Sequence, residues 1–208
     1  MKDNPWLKIP ASDYEGHMES PEVRQAQMLS RIFTEALEKH DSSTIALLGC
    51  ATGNGLDSIR KGRTARVTAV DINPGYLAVL RERYEGVVEG LETIEADLEE
   101  CVLDKSAYSL VFAGLIFEYL DPEGLLRRIA EWLSPAGILV SVLQMSATGT
   151  DKVTATGFES LRLLAPVMKL VRPCQFRAMA CGAGLSEVDV STVTLDSGKS
   201  FFIGVYRK

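Results

Sequence analysis

Hydrophobic residues along the chain form two patterns: short continuous runs, and positions that repeat every three to four residues. Runs of strand length stand at residues 44–48, 65–70, 91–96, 107–113 and 138–143. Such runs are typical of strands that are buried on both faces of a sheet. The longer repeat predicts amphipathic helices at residues 20–37, 56–61, 74–84 and 121–133. Helices and strands are therefore expected to alternate.

Two helix starts have clear local signals. Ser20, Pro21 and Glu22 supply an N-cap, a proline at the first helical position and an acid in the first turn. Asp121 and Pro122 repeat this pattern before the helix at 121–133. We therefore expect an irregular segment up to about residue 19, with helical structure beginning at Ser20.

The C-terminal part of the chain has a different pattern. Two strand-like runs, 188–195 and 201–206, are joined by only a short polar link, which predicts an antiparallel hairpin. Before it lies a segment, 146–184, with helix-like pieces at 158–170 and 174–181. The whole pattern predicts one α/β domain with a Rossmann-like, doubly wound sheet of about seven strands. The sheet would be mostly parallel, with an antiparallel strand from the C-terminal hairpin.

Composition narrows the classes of function. The 208 residues have a net charge of −6 and no dense run of lysine and arginine, which argues against nucleic acid as a partner. With two histidines and no close cysteine pair, no zinc-ligand spacing is present. The longest apolar stretch, 137–145, is too short for a membrane span, and the N-terminus does not resemble a signal peptide. We expect free thiols, a cytoplasmic location and no membrane contact.

Small residues follow the first predicted strand at alternate positions. They are Gly49, Ala51, Gly53 and Gly55. In an open parallel sheet this turn lies where ligands bind, and residues without bulk let the backbone approach a ligand closely. The alternative is a tight turn between a strand and a helix that binds nothing.

Acidic residues end the next two predicted strands. Asp71 is placed to accept hydrogen bonds from both hydroxyls of an adenosine ribose, and its alternative role is a helix cap or an Asx turn. Asp97 is placed to accept from an adenine amino group, with a plain turn as the alternative. Carboxylates at neighbouring strand ends, together with the turn, indicate a pocket for adenosine.

These features resemble the class I S-adenosylmethionine-dependent methyltransferases. The segments that match lie in the family's order at residues 48–55, 67–71, 94–97, 108–113 and 132–140. The resemblance implies S-adenosyl-L-methionine as the cofactor, with its methionine part at the turn, its ribose at Asp71 and its adenine at Asp97. It implies cofactor contacts from Leu48, Gly49, Cys50, Ala51, Gly53, Asn54, Gly55, Asp71, Ile72, Asp97, Leu98, Ala113 and Gly114.

Two positions depart from the family pattern. Leu47 stands where the family usually has an acid, and Ala51 stands where it has a glycine. The first change removes a polar contact near the cofactor, and we expect the second to restrict the backbone to ordinary dihedral angles. Cofactor binding without catalysis is therefore a second possible function.

A third function is suggested by the spacing within the turn. Residues 53–58 loosely resemble the G-x-G-x-x-G pattern of nicotinamide-binding oxidoreductases. The long helix before the first strand and the C-terminal hairpin favour the methyltransferase pattern instead. A phosphate-binding P-loop is excluded because no lysine follows the glycines.

Residues outside the turn are candidates for catalysis. Glu118 follows the fourth strand, where relatives carry a polar residue that faces the active site, and its alternative is a solvent-facing acid. Tyr14, His17 and Met18 belong to a segment that in relatives folds over the cofactor; their alternatives are core packing and, for His17, the surface. Apolar residues in the segment 146–184, such as Phe158, favour a small, partly apolar substrate or a plain core.

The resemblance gives each part of the single domain 1–208 a role. Residues 1–43 would form an N-terminal lid and helix, 44–145 the cofactor-binding core, 146–184 a substrate cap and 185–208 the hairpin. The predicted function is methyl transfer from S-adenosylmethionine to a small molecule. Positioning of the acceptor behind the methyl carbon and exclusion of water would supply the acceleration.

Overall fold

The structure of the protein is a computed structural model that describes residues 4–146 and 151–208. It has one sheet, whose strands are β1 (Thr44–Leu48), β2 (Arg66–Asp71), β3 (Leu91–Glu95), β4 (Tyr108–Gly114), β5 (Leu133–Gln144), β6 (Ser186–Thr194) and β7 (Ser200–Arg207). Each strand predicted from the sequence is present. β5 extends further back than expected, and its start includes Ala136 at a φ of 62°.

The strand order in the sheet is β3-β2-β1-β4-β5-β7-β6. The pairs from β3 to β5 are parallel, whereas β7 is antiparallel to both β5 and β6. The chain winds outward from β1 in one direction and from β4 in the other, so the order reverses between β1 and β4. The predicted fold class, a mostly parallel Rossmann-like sheet with an antiparallel C-terminal hairpin, is confirmed.

Helices cover both faces of the sheet. They are α1 (Ala11–Glu19), α2 (Gln25–Lys39), α3 (Pro74–Tyr84), α4 (Pro122–Trp132) and α5 (Pro173–Gly182). α2 and α3 pack on one face, and α4 and α5 pack on the other. The cap predicted for α4 is present, because the Asp121 carboxylate accepts from the backbone N–H groups of Glu123 and Gly124. No helix in the described ranges has both the length and the apolar character to cross a membrane.

The N-terminal segment differs from its prediction. It is not irregular: a 3₁₀ turn at Pro5–Lys8 and helix α1 precede the expected helix start. The predicted start at Ser20 is also wrong, since α2 begins at Gln25. Arg24 has a φ of 49°, a left-handed conformation that interrupts the helical path, and the Ser20 carbonyl accepts from Val23 and Arg24 in a separate turn.

Two other predicted helices are shorter than expected. In place of 56–61 there is only a 3₁₀ turn at Leu56–Ser58, which leads into Gly62 at a φ of 77°. In place of 158–170 there is a 3₁₀ turn at Glu159–Leu164, followed by Pro166, whose ring removes a backbone donor. The predicted helix at 174–181 is confirmed as α5.

Candidate functional site

The glycine-rich turn follows β1 at the point where the strand order reverses. Gly49, Gly53 and Gly55 have φ angles of 64°, 93° and 90°, which favour glycine. A Cβ added at Gly53 would lie 2.7 Å from the Tyr84 ring, and one at Gly55 would lie 2.9 Å from the Phe33 ring. Close packing on α2 and α3 therefore accounts for two of the glycines independently of any ligand.

Ala51 adopts the conformation of the glycine that it replaces. Its φ is 46°, so the expectation that alanine would impose ordinary dihedral angles is wrong. A left-handed alanine costs about 1 kcal/mol. Contacts with the surrounding turn offset this cost: the Ala51 N–H donates to the Asp71 carboxylate at 2.8 Å, and its methyl group is buried.

Asp71 joins the turn to the end of β2. One carboxylate oxygen accepts from Ala51 and the other accepts from the N–H of Asn73 at 2.9 Å, which closes an Asx turn. Burial raises the pKa of this carboxyl. The Asx turn proposed as its alternative role is thus present, but each oxygen keeps a second lone pair that can accept from a ligand hydroxyl.

Asn73 connects the same strand end to the N-terminal segment. Its side-chain oxygen caps α3 by accepting from Gly75, and its amide nitrogen donates to the Trp6 carbonyl at 2.8 Å and to the Ile9 carbonyl at 3.3 Å. The cap was predictable from the Pro74 that follows, but the long-range contacts had no sequence signal. They hold the first residues of the chain over the end of β2.

α1 lies over the glycine-rich turn. Glu15 accepts from the Thr52 hydroxyl at 2.6 Å, and it also forms a paired hydrogen bond with the Arg83 guanidinium, which lowers the pKa of Glu15. The ring centroid of Tyr14 lies 5.2 Å from that of Tyr76 on α3. The part of the chain predicted to form a lid therefore covers the turn.

Aromatic rings surround this part of the site. Trp6 contacts Tyr14 and, with ring centroids 5.0 Å apart, Tyr119 after β4. The hydroxyl of Tyr76 is buried and has no hydrogen-bond partner among the described residues. Burial raises the pKa of Tyr14, so its hydroxyl keeps its proton.

The other predicted cofactor residues line the same edge of the sheet. Leu48 of β1 pairs with Ala113 of β4, and Cys50, which follows the turn's first glycine, is buried. Asn54 donates to the Ala26 carbonyl of α2 at 2.8 Å, so its amide holds the turn in place. Ile72 and Leu98 follow the ends of β2 and β3, and Gly114 ends β4.

Among the predicted cofactor residues, Asp97 has the least support from the structure. It is exposed, and its carboxylate accepts from the N–H of Glu99 at 2.9 Å in a turn. This is the plain turn role that was its alternative. An adenine contact is compatible with its remaining acceptor capacity, and it stays a prediction.

Glu118 is buried, so the solvent-facing alternative is wrong. Its side chain is 1% exposed, and Oε1 accepts from the backbone N–H of Gln144 at 2.7 Å. Oε2 is buried without a hydrogen-bond partner in the described part of the chain. Burial raises the pKa of Glu118 to about 7, which suits proton exchange near neutral pH.

His17 is also buried, which contradicts the surface alternative. Its Nδ1 lies 2.9 Å from the hydroxyl of Thr156, in the segment predicted to be the substrate cap. Burial, together with the nearby charge of Lys199, lowers the pKa of His17 to about 4, so the ring is neutral at pH 7. Met18, its neighbour, is buried against the core.

The sequence pattern did not indicate three residues of the site, namely Gln144, Thr156 and Lys199. All three lie near the carboxyl ends of β4 and β5 or the adjoining start of β7. Lys199 in particular stands in a polar hairpin link, a position that indicates exposure, but its side chain is only 4% exposed. Their contacts depend on chain segments far apart in sequence.

The residues present fit S-adenosylmethionine. Aromatic faces such as those of Trp6 and Tyr14 attract a cation, and carboxylates at Glu15 and Asp71 add negative charge beside the turn. The buried, unpartnered Tyr76 hydroxyl offers a further polar contact.

Comparisons with known proteins agree with this arrangement. A family model described as a methyltransferase domain matches residues 47–141, which include the turn, Asp71 and Glu118. A search of curated proteins gives no match.

Solved structures share the fold at low sequence identity. An S-adenosylmethionine-dependent methyltransferase from Mesorhizobium loti is 18% identical, with a TM-score of 0.68 over 86% of this chain and 98% of that one. The N-methyltransferase NodS from Bradyrhizobium japonicum WM9, in complex with S-adenosyl-L-homocysteine, is 14% identical, with a TM-score of 0.68 over 91% and 88% of the two chains. The [4+2]-cyclase SpnF is 14% identical, with a TM-score of 0.71 over 89% and 81%. Residues 47–141 are therefore similar to a methyltransferase domain, and the chain shares its fold with these solved structures.

Proposed function

We propose that this protein binds S-adenosyl-L-methionine at the glycine-rich turn and transfers its methyl group to a small-molecule acceptor. The observation that carries the proposal is the hydrogen bond from Ala51 to Asp71, which joins the turn and the end of β2 at the reversal of the strand order. Ligands of doubly wound sheets bind at this position. When bound, the cofactor supplies an activated methyl group on a sulfonium.

Residues of this chain would hold the cofactor from two sides. Asp71 accepts from ribose hydroxyls with its free lone pairs, and the backbone of the turn, 49–55, contacts the methionine part. Ile72, Leu98 and Asp97 are proposed adenine contacts. The aromatic rings of Trp6 and Tyr14 on the proposed N-terminal lid would attract the sulfonium and exclude water.

We infer that the acceptor would bind beyond β4, near Glu118. Glu118 can take a proton from an oxygen or nitrogen nucleophile, because its pKa of about 7 leaves much of it ionised at neutral pH. His17 is neutral and buried, so its ring can position the nucleophile or accept its proton. The segment 146–184, which carries Thr156 and Phe158, is the proposed substrate cap; its residues 147–150 lie outside the described residues.

A small acceptor is favoured over a polymer. The net charge of −6 gives little attraction for nucleic acid, and the proposed cap and lid, joined by the contact between His17 and Thr156, would cover the site. The cytoplasmic location expected from the sequence stays a prediction.

Calorimetric titration tests cofactor binding. S-adenosyl-L-homocysteine should bind to the wild-type protein, and a nicotinamide dinucleotide should not. Asp71→Ala should weaken binding of S-adenosyl-L-homocysteine by about 1–3 kcal/mol, since a buried polar contact is lost. Asp97→Ala, which changes an exposed carboxylate, should weaken it by less than about 1 kcal/mol.

Turnover separates methyl transfer from other uses of the fold. Formation of S-adenosyl-L-homocysteine from S-adenosyl-L-methionine is followed with a panel of small amines, phenols and acids. Heat from the dinucleotide alone would overturn the proposed cofactor. Binding without turnover on any acceptor would favour a non-catalytic module or another reaction, as the fold shared with a [4+2]-cyclase allows.

A further inference from the structure

A chain of hydrogen bonds runs from Glu118 toward the start of β7. The backbone N–H of Gln144 donates to Glu118 Oε1, and the Gln144 side-chain nitrogen donates to the carbonyl of Lys152 at 2.9 Å. The same carbonyl accepts from Lys199 Nζ at 3.0 Å. A buried lysine ammonium thus lies in the polar network that contains the proposed base.

Among the described residues, the charge of Lys199 is balanced only in part, by the carboxylate of the exposed Asp151 nearby. The side chain is 4% exposed, and an ammonium has three N–H donors, of which one reaches a carbonyl among the described residues. Burial lowers the pKa of Lys199 to about 8, which still leaves most molecules protonated at pH 7. Burial of a cation is costly, and an anion that enters beside Lys199 would form a charge-assisted hydrogen bond with a donor that the Lys152 carbonyl does not occupy.

Lys199 lies at the end of the site where an acceptor would bind. Along the carboxyl edge, β1 carries the glycine-rich turn, β4 leads to Glu118 and β5 ends at Gln144, and β7 begins directly after Lys199. α1 extends over this edge, with Tyr14 beside the turn and His17, about one helical turn later, close enough to Lys199 for its pKa to be lowered by that charge. The ammonium therefore lies under the same lid as the turn.

We propose that Lys199 binds a carboxylate of the methyl acceptor, so that the substrates are small carboxylic acids that also carry the nucleophilic nitrogen or oxygen. This inference rests on the proposed function. Lys199 carries one positive charge, the histidine near it is neutral and the Asp151 carboxylate is close by, which suits a carboxylate better than a phosphate dianion. The acid group would orient the nucleophile toward Glu118 or His17.

Matched pairs of ligands test the inference. We use acetate, benzoate, sarcosine and 4-hydroxybenzoate, each with its amide, and measure binding to the complex with S-adenosyl-L-homocysteine by ligand-observed NMR. Acids should bind at least about tenfold more tightly than amides. Lys199→Met should weaken acid binding about thirtyfold, which corresponds to about 2 kcal/mol, and leave the affinity for S-adenosyl-L-homocysteine unchanged.

Control variants separate charge from folding. Lys199→Arg keeps the charge and should retain most of the preference for acids. Lys61→Met changes an exposed lysine far from this network and should match the wild type. The melting temperature of Lys199→Met should also be no lower than that of the wild type. Methionine has a side chain of similar length to lysine and removes the buried charge. In turnover, the variant should raise KM for acids more than it lowers kcat.

The outcomes distinguish this inference from the proposed function. Equal binding of acids and amides, an acid preference that persists in Lys199→Met, or no acid binding at millimolar concentration would each overturn the carboxylate site. Inorganic phosphate that competes better than the acids would also overturn it. If S-adenosyl-L-homocysteine does not bind, the proposed function fails, and the same titrations on the protein alone still decide whether Lys199 binds acids.

Discussion

At the scale of single residues, titration of Glu118 should make the free energy of unfolding depend on pH. Its pKa is raised from 4.5 to about 7 in the folded protein, so between these values the native state holds a proton that the unfolded chain has released. The free energy of unfolding should therefore fall as pH rises from 4.5 to 7 and level off above 7. One pKa unit corresponds to about 1.4 kcal/mol, so the full change is up to about 3 kcal/mol.

Glu118→Gln removes this titration while it keeps the acceptor for the Gln144 N–H. Urea unfolding at several pH values measures the free energy of unfolding of both proteins. The wild type should lose stability relative to the variant as the pH rises through the window. The exposed Glu99 supplies the matched control, since Glu99→Gln should show no such trend. A difference between Glu118→Gln and the wild type that stays constant with pH would contradict the prediction.

The residues found by sequence reasoning share a local signal, and the residues missed do not. Asp71 ends β2 and Glu118 lies four residues after the end of β4, and at both places chain order alone predicts a position at the carboxyl edge. Burial of Lys199 depends on the carbonyl of Lys152, 47 residues away, and on the packing of α1. A hairpin link gives no indication of such contacts, because its own composition predicts solvent exposure.

At the scale of elements, docking of α1 on the proposed cap depends on the absence of a side chain at Gly16. A Cβ at this position would lie 2.2 Å from the ring of Phe158. Gly16→Ala should therefore displace the helix or the ring. The clash costs about 1–3 kcal/mol and outweighs the gain of about 1 kcal/mol in helix propensity.

Amide hydrogen exchange measures this docking. Exchange in residues 11–19 should be faster in Gly16→Ala than in the wild type, and Phe158→Leu combined with it should restore slow exchange by making space. Gly157→Ala is the matched control, because a Cβ there meets nothing within 4 Å. Unchanged or slower exchange in Gly16→Ala would show that α1 is not held against Phe158.

The elements that sequence reasoning missed are those without a strong apolar repeat. α2 and α4 have clear stripes of buried residues, and both were predicted. α1 buries only His17 and Met18, since it packs on α2, α3 and the proposed cap rather than on the sheet. Asp13 accepts from Ser160 and Glu15 from Thr52, so polar contacts with distant segments hold it in place.

At the scale of the whole molecule, α1 links the two halves of the proposed site. Glu15 contacts the turn through Thr52, whereas Asp13 and His17 contact the cap through Ser160 and Thr156. A ligand that fixes α1 over the turn should therefore also order the cap. Such coupling would close the acceptor pocket only when the cofactor is bound, which limits access of water to the sulfonium.

Hydrogen exchange with and without S-adenosyl-L-homocysteine tests this coupling. The ligand should slow exchange in residues 11–19 and also in 151–164, while β6, an exposed edge strand, serves as the internal reference. Thr156→Val with Ser160→Ala removes both polar links to α1. This variant should keep protection of α1 and lose most of the protection of the cap.

A matched substitution in the same segment completes the test. Thr154 has a buried hydroxyl without a hydrogen-bond partner in the described ranges, so Thr154→Val changes the same residue type without breaking a contact with α1. In Thr154→Val, the ligand should slow hydrogen exchange of the cap as it does in the wild type. Equal cap protection in all the variants would mean that the cofactor orders the cap directly, and protection confined to the turn would mean that lid and cap move independently. Only loss of protection in the double variant fits a lid that transmits cofactor binding to the acceptor pocket.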